Sequence, residues 1–179
     1  MSSLYVSIDG RPVSDVFTQL ADTAFEILKN EGNASTQIVP EIVNNTNKTW
    51  RYKTSGTMQG TMQYPQSGGI EPHFARAWTQ RSMGTDGSFG WVIYTDDDNN
   101  QLFVGYCVYY IGAQAKYLVK YENTNFAGKD NNALLAMIDS EGKTGGYAFE
   151  FSGVNVDYSG FEHRQEGVAQ SRELRVTLE

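Results

Sequence analysis

The chain has 179 residues, 40% hydrophobic and 20% charged, a composition that supports one folded domain with a sizeable core and excludes a disordered chain. Lys plus Arg number 14 against 21 Asp plus Glu, and the resulting charge of −7 excludes nucleic-acid binding through the overall field. One cysteine and two histidines exclude an internal disulfide framework and the Cys-rich or His-rich zinc sites, and no cofactor is expected.

Three Trp, eleven Tyr and nine Phe sit among eighteen Gly, which points to a mostly β protein with Gly-rich turns. Residues 4–8 alternate Leu4, Val6 and Ile8 with polar or amphipathic neighbours and predict a short strand. Ser14 then reads as an N-cap, with Asp15 in the first turn. Val16, Leu20, Ala24, Ile27 and Leu28 recur at helical spacing, and Phe17, Ala21 and Phe25 widen the stripe. The opposite face carries Gln19, Asp22, Glu26 and Lys29. The pattern predicts one amphipathic helix over about residues 14–30, closing near Gly32.

Beyond Gly32 the chain reads as strands and turns. Strands are expected at residues 37–44 and 48–55 around the Asn-rich turn 44–47, then at 57–64, 73–80 and 88–95. The acidic stretch Asp96-Asp97-Asp98-Asn99-Asn100 lacks the spacing of a calcium loop and predicts a solvated hairpin turn into a strand at 102–111. Residues 116–122 predict another strand, 131–139 suit a short helix, and 147–151, 154–158 and 173–178 close the chain as strands. The spacing suits a sandwich or barrel in a single domain.

Nucleophile, P-loop and metalloprotease motifs are absent, so the chain is not expected to be an enzyme. Cys107 lies in a Tyr-rich apolar strand and reads as a buried structural thiol. His163 reads as solvated in a charged loop, and His73 as a strand-edge residue. Sequons start at Asn33, Asn44 and Asn47. Tyr109 and Tyr110 are consecutive; in an extended strand they would face opposite ways, leaving one at a surface.

Several segments together resemble the actinoporins, the pore-forming cytolysins of sea anemones, whose fold family is shared with fungal fruit-body lectins. Phe25-Glu26-Ile27-Leu28-Lys29 is similar to the end of that family's N-terminal helix. Asn45 with Lys48-Thr49-Trp50, Ser55-Gly56-Thr57, Pro72-His73 and Gly87-Ser88-Phe89-Gly90-Trp91-Val92-Ile93-Tyr94 follow in the family's order, as does the strand from Asn100 to Val108. The resemblance implies a β-sandwich flanked by the N-terminal helix and a second, short helix.

It also implies a secreted, soluble monomer that docks on a target membrane by an aromatic face, oligomerises there and inserts its N-terminal helix as part of a pore. Val16, Phe17, Leu20, Ala24, Phe25, Ile27 and Leu28 would then face lipid. Asp15, Asp22 and Glu26 would line a cation-favouring lumen. About four helical turns span roughly 24 Å, short of the ~30 Å hydrocarbon core, so residues 2–13 would join the helix or the lipid would thin. Ser55, Phe89, Cys107 and Tyr109 stand at positions of the family's lipid-headgroup pocket, where the family has Ser, Val, Ser and Pro. Tyr110 and Tyr117 are further candidates for target contact. Residues 133–139 carry no Tyr where the family has a Tyr-rich helix, and the chain is acidic where the family is usually basic. The expected partner is therefore a membrane lipid, or a glycan or protein receptor on the membrane. The alternative reading is a lectin-like module on the same sandwich, with the helix permanently docked and the aromatics stacked on sugar rings.

Overall fold

The computed structural model describes residues 4–63, 68–112 and 114–179. In chain order the elements are β1 (Tyr5–Ser7), α1 (Val13–Asn30), β2 (Thr36–Asn44), β3 (Arg51–Gln59), β4 (Thr61–Gln63), β5 (Phe74–Ala77), β6 (Thr79–Ser82), β7 (Ser88–Thr95), β8 (Gln101–Val108), β9 (Lys116–Glu122), α2 (Asn131–Glu141), β10 (Tyr147–Phe151), β11 (Val154–Glu162) and β12 (Gln170–Leu178). The larger sheet runs β1-β5-β2-β12-β11-β10, with β6 also beside β2 and β4 beside β6. The smaller runs β3-β7-β8-β9. Their facing sides bury one core that includes Trp50, Trp78, Tyr94, Tyr106 and Tyr117. The outer side of the larger sheet is covered by α1 and that of the smaller by α2, so the expected sandwich is a four-layer stack.

Burial explains the centre of the larger sheet. Every residue of β2 is buried, because α1 covers one face and the smaller sheet the other. The C-terminal strand β12 pairs with β2 in parallel over nine positions, from Thr36↔Gln170 to Asn44↔Leu178. Pro40 sits in the middle of β2 and has no N–H to give to the other neighbour. There the Trp78 N–H donates to Pro40 O at 3.1 Å, no bond returns, and the single strand expected at 73–80 divides into β5 and β6. A second division falls at Gly60, whose φ of +92° a side chain rarely adopts. The strand expected at 57–64 splits around it: residues 57–59 finish β3, while β4 crosses to pair with β6 in the other sheet.

Other expectations shift in detail. The helix begins one residue before Ser14, with Pro12 at the cap position and no side-chain cap. The Asn-rich turn 44–47 joins its two strands as expected, and it carries the chain from the larger sheet to the smaller. Asn44 there is buried and gives its amide to the carbonyls of Lys48, Ile70 and Glu71, so that sequon is structural. The hairpin at 96–100 forms, but Asp96 turns inward instead of into solvent: it accepts the backbone N–H groups of Asp98 and Asn100, the Asn100 amide and the Tyr121 hydroxyl. Residues 131–139 lie in α2, which Asp130 caps through the Ala133 N–H. Tyr64, residues 65–67, Ala113, and Ser2 and Ser3 of the expected helix extension lie outside the described residues.

Candidate functional site

Three surfaces carry the residues singled out by the sequence. The first is α1. Its stripe residues Val16, Phe17, Leu20, Ala21, Ala24, Phe25 and Leu28 are buried against Val39, Val43, Ala75 and Ala77 of the larger sheet, with Ile27 half-buried at the margin. Asp15, Asp22 and Glu26 are exposed on the far side, as the periodicity requires. This cluster shares no residue with the inter-sheet core, so α1 is an added layer and not part of the sandwich's own packing. Its N-terminal tether is the three-residue strand β1, which among the described residues pairs with β5 alone and is flanked by backbone bonds between Leu4 and Ala77 and between Ile8 and His73. Arg11 reinforces the connection by donating to the carbonyls of Ile8 and Ser7. At the C-terminal end His163 stacks on Phe25, ring centres 3.7 Å apart and 3° from coplanar; it is a clamp on the helix, not a solvated residue. Eighteen residues rise about 27 Å. Among the described residues no helix is long and apolar enough to cross a membrane.

The second surface is the end of the sandwich where β8 turns into β9. The strand ends at Val108, three residues short of the expectation, so Tyr109 and Tyr110 are not successive residues of one extended strand. Tyr109 folds under α2, its hydroxyl 3.1 Å from Asp139 Oδ1 and its ring edge-on to Phe89 at 5.2 Å. Tyr110 turns the other way and lines a shallow pocket of about 260 Å³ with Ala34, Ser35 and Met83. Beyond them Ile111 is 73% exposed and Met83 62% exposed, the two most open large apolar side chains described. Sequence reading missed Met83; its signal was a large apolar residue beside Gly84 in a polar turn.

The six residues expected to bind lipid or receptor do not form one pocket. Ser55 pairs with Val92 and faces the inter-sheet side, where it bonds the Tyr52 hydroxyl at 2.7 Å. Phe89, Cys107 and Tyr109 meet on the opposite, α2-covered face. Tyr117 is not a surface aromatic: it pairs with Tyr106, takes the same inward direction and is 1% exposed. Burial pushes its hydroxyl up to about 12, against the pull of Arg172. Cys107 is buried as expected, and burial, with the Asp139 charge behind it, pushes the thiol up to about 12.

The third surface was not read from the sequence. β10 lies at one edge of the larger sheet and β9 at one edge of the smaller, and between them runs a groove of about 650 Å³. Tyr147, Phe149 and Phe151 alternate along β10 toward it and stay partly open, with Tyr147 47% exposed. Tyr158 backs Tyr147 at 6.0 Å and Tyr121 meets Phe151 edge-on at 4.9 Å. Lys143 Nζ lies 4.8 Å above the Tyr147 ring, while Lys120 is held by Glu141 and Glu122. In the sequence this alternation is indistinguishable from a core strand; only the arrangement of the two sheet edges exposes it. Among the described residues no group of three or more His, Cys, Asp or Glu side chains is placed to hold a metal ion.

No family model and no curated protein sequence matches the chain. Solved structures do. The chain is similar to the lipid binding protein Nakanori, with a TM-score of 0.75 at 14% identity over 92% of this chain and 81% of that one. It is also similar to the lectin XCL of Xerocomus chrysenteron, with a TM-score of 0.57 at 11% identity over 80% of this chain and 99% of the lectin. A mutated form of the same lectin gives 0.58 at 12% identity. At these identities the likeness is one of fold.

Proposed function

We propose that this chain is a membrane-surface binding protein whose N-terminal helix is held in reserve for insertion, so that the docked form described here is the soluble state of a pore-former. The observation that supports it most is the segregation of α1. The helix is amphipathic, its apolar face is satisfied by a cluster separate from the sandwich core, and its N-terminal tether is a three-residue edge strand. At about 1.5–3 kcal/mol for each large buried side chain, docking is worth on the order of 10 kcal/mol. Burial of the same stripe in lipid offsets a comparable amount, with Asp15, Asp22 and Glu26 left in water. First contact falls to the apolar tip, where Ile111 and Met83 would enter the interface beside the Tyr110 ring. The net charge of −7 favours zwitterionic lipid over an anionic surface. Similarity of fold to the lipid binding protein Nakanori supports this reading.

The test is co-flotation with vesicles of phosphatidylcholine, sphingomyelin and cholesterol. The wild-type chain is expected to float, and an Ile111→Ser, Met83→Ser variant to lose at least tenfold in partition. Equal flotation of the two would remove the tip from the account.

A lectin-like reading is favoured by one observation, the aromatic groove at β10. Tyr147 and Phe149 offer ring faces to the apolar side of a pyranose, and Ser140 with the Lys and Glu residues of the rim offers hydrogen bonds. In that case glycan-array binding is expected, with loss of signal in Tyr147→Ala. A blank array with intact vesicle binding would leave the groove without this role.

A further inference from the structure

Beneath α1 lies a charged cluster that neither reading above uses. Glu41, in the middle of β2, is fully buried. Strand alternation puts it on the same face as Val39 and Val43, which pack against the helix. Its two carboxyl oxygens receive no hydrogen bond. Across the parallel register stands Arg175 of β12, whose Nε is 4.0 Å from Glu41 Oε1 but 2.9 Å from Glu173 Oε2. Glu173 is itself 5% exposed. The same guanidinium lies 5.4 Å from the ring centre of Phe17 on α1 and 5.2 Å from that of Phe161.

One cation therefore serves two buried carboxyls. Among the described residues no other element supplies a second. From β5 the helix-facing residues are Ala75 and Ala77. Arg81 of β6 is engaged with Glu31. Asp15, Asp22 and Glu26 of α1 point to solvent, and His163 stacks on Phe25 near the far end of the helix. The Arg175 side chain is 30% exposed, but both carboxyls are buried, and one guanidinium between them supports one ion pair and one neutral carboxylic acid; a second buried carboxylate needs water or another donor.

We infer that the proton on Glu41 is a latch: α1 stays docked while Glu41 is protonated, and loosens from the sheet as Glu41 ionises and its proton passes to solvent. The latch rests on the reading of α1 as a detachable segment for its consequence at a membrane, but the docking equilibrium belongs to the soluble protein. Burial and then the charge of Glu173 hold Glu41 well above the ordinary carboxylate range, against the pull of Arg175. The sign follows. A group whose folded value is raised contributes fully at pH below its unfolded value, about 4.3, and that contribution is lost as pH rises through the folded value. Acid therefore fastens α1, and rising pH frees it.

The experiment is hydrogen exchange on the full chain without membranes between pH 5 and 9, with protection factors corrected for intrinsic rates. Amides from Val16 to Leu28 are expected to lose protection relative to those of β7 and β8 by about tenfold per pH unit once Glu41 titrates. Glu41→Gln, neutral at every pH, is expected to flatten that profile. Glu173→Gln is expected to weaken it as well, because Arg175 is then free to hold an ionised Glu41 in place. His163→Gln is run alongside and is expected to keep the wild-type response. The latch is overturned if α1 and β7–β8 lose protection together, if the wild-type profile is flat, or if Glu41→Gln keeps the wild-type profile. Failure of the membrane reading would appear instead as absent vesicle binding, with these exchange profiles unchanged.

Discussion

At the residue scale, Cys107 and Asp96 show how position decides chemistry. Cys107 stands where the resemblance placed a headgroup contact, yet it is sealed between Phe89, Tyr109 and α2. With its thiol pushed up to about 12, chiefly by burial, it is expected to resist maleimide at pH 8 in the native state and to react on unfolding. Rapid native labelling would mean that this face opens. Asp96 is buried, which works to raise its pKa; the hydrogen bonds from Tyr121, Asn100 and Asp98 outweigh burial and hold the carboxylate below its usual range. Its contribution is therefore present above the ordinary carboxylate pKa and is lost as pH falls through the lowered one. Replacing Asp96 with Ala leaves the Tyr121 hydroxyl and the Asn100 amide without their acceptor, and urea unfolding at pH 7 is expected to show a loss of about 1–3 kcal/mol. A loss within error would contradict that assignment.

At the element scale, legibility in the sequence followed periodicity. The 3.6-residue stripe from Val16 to Leu28 located α1 and its exposed acids, because a helix on a sheet needs one apolar face. β7 and β9 fell where their alternation placed them. What alternation could not show was which sheet a strand joins. Pro40 broke β5 from β6, and Gly60 sent β4 across, through backbone chemistry that only the partner strand makes visible. The candidate site was less legible still. The family resemblance groups Ser55 with Phe89, Cys107 and Tyr109, and a cluster of tyrosines adds Tyr117, but strand register turns Ser55 and Tyr117 inward and Phe89 and Cys107 outward, while Tyr109, just past the end of β8, folds under α2. The exposed tip at Ile111 and the aromatic edge at Tyr147 depend on where strands stop and how the two sheet edges lie, and neither leaves a mark on periodicity.

At the scale of the whole molecule, α1 is anchored at its C-terminal end to β2, the most buried strand of the larger sheet, and at its N-terminal end to an outermost strand. On the proposed reading, release would start at β1 and leave the sandwich core between the sheets intact. Val6 and Ala75 are directly opposed in the β1–β5 register. Antiparallel partners have Cα atoms about 4.5–5.5 Å apart, within the reach of a disulfide. The decisive measurement is dye release from phosphatidylcholine–sphingomyelin–cholesterol vesicles by a Val6→Cys, Ala75→Cys variant, oxidised and then reduced. The oxidised protein is expected to bind the vesicles without releasing dye, and reduction to restore release. Equal release in both states, or binding without release in either, would contradict a detachable helix.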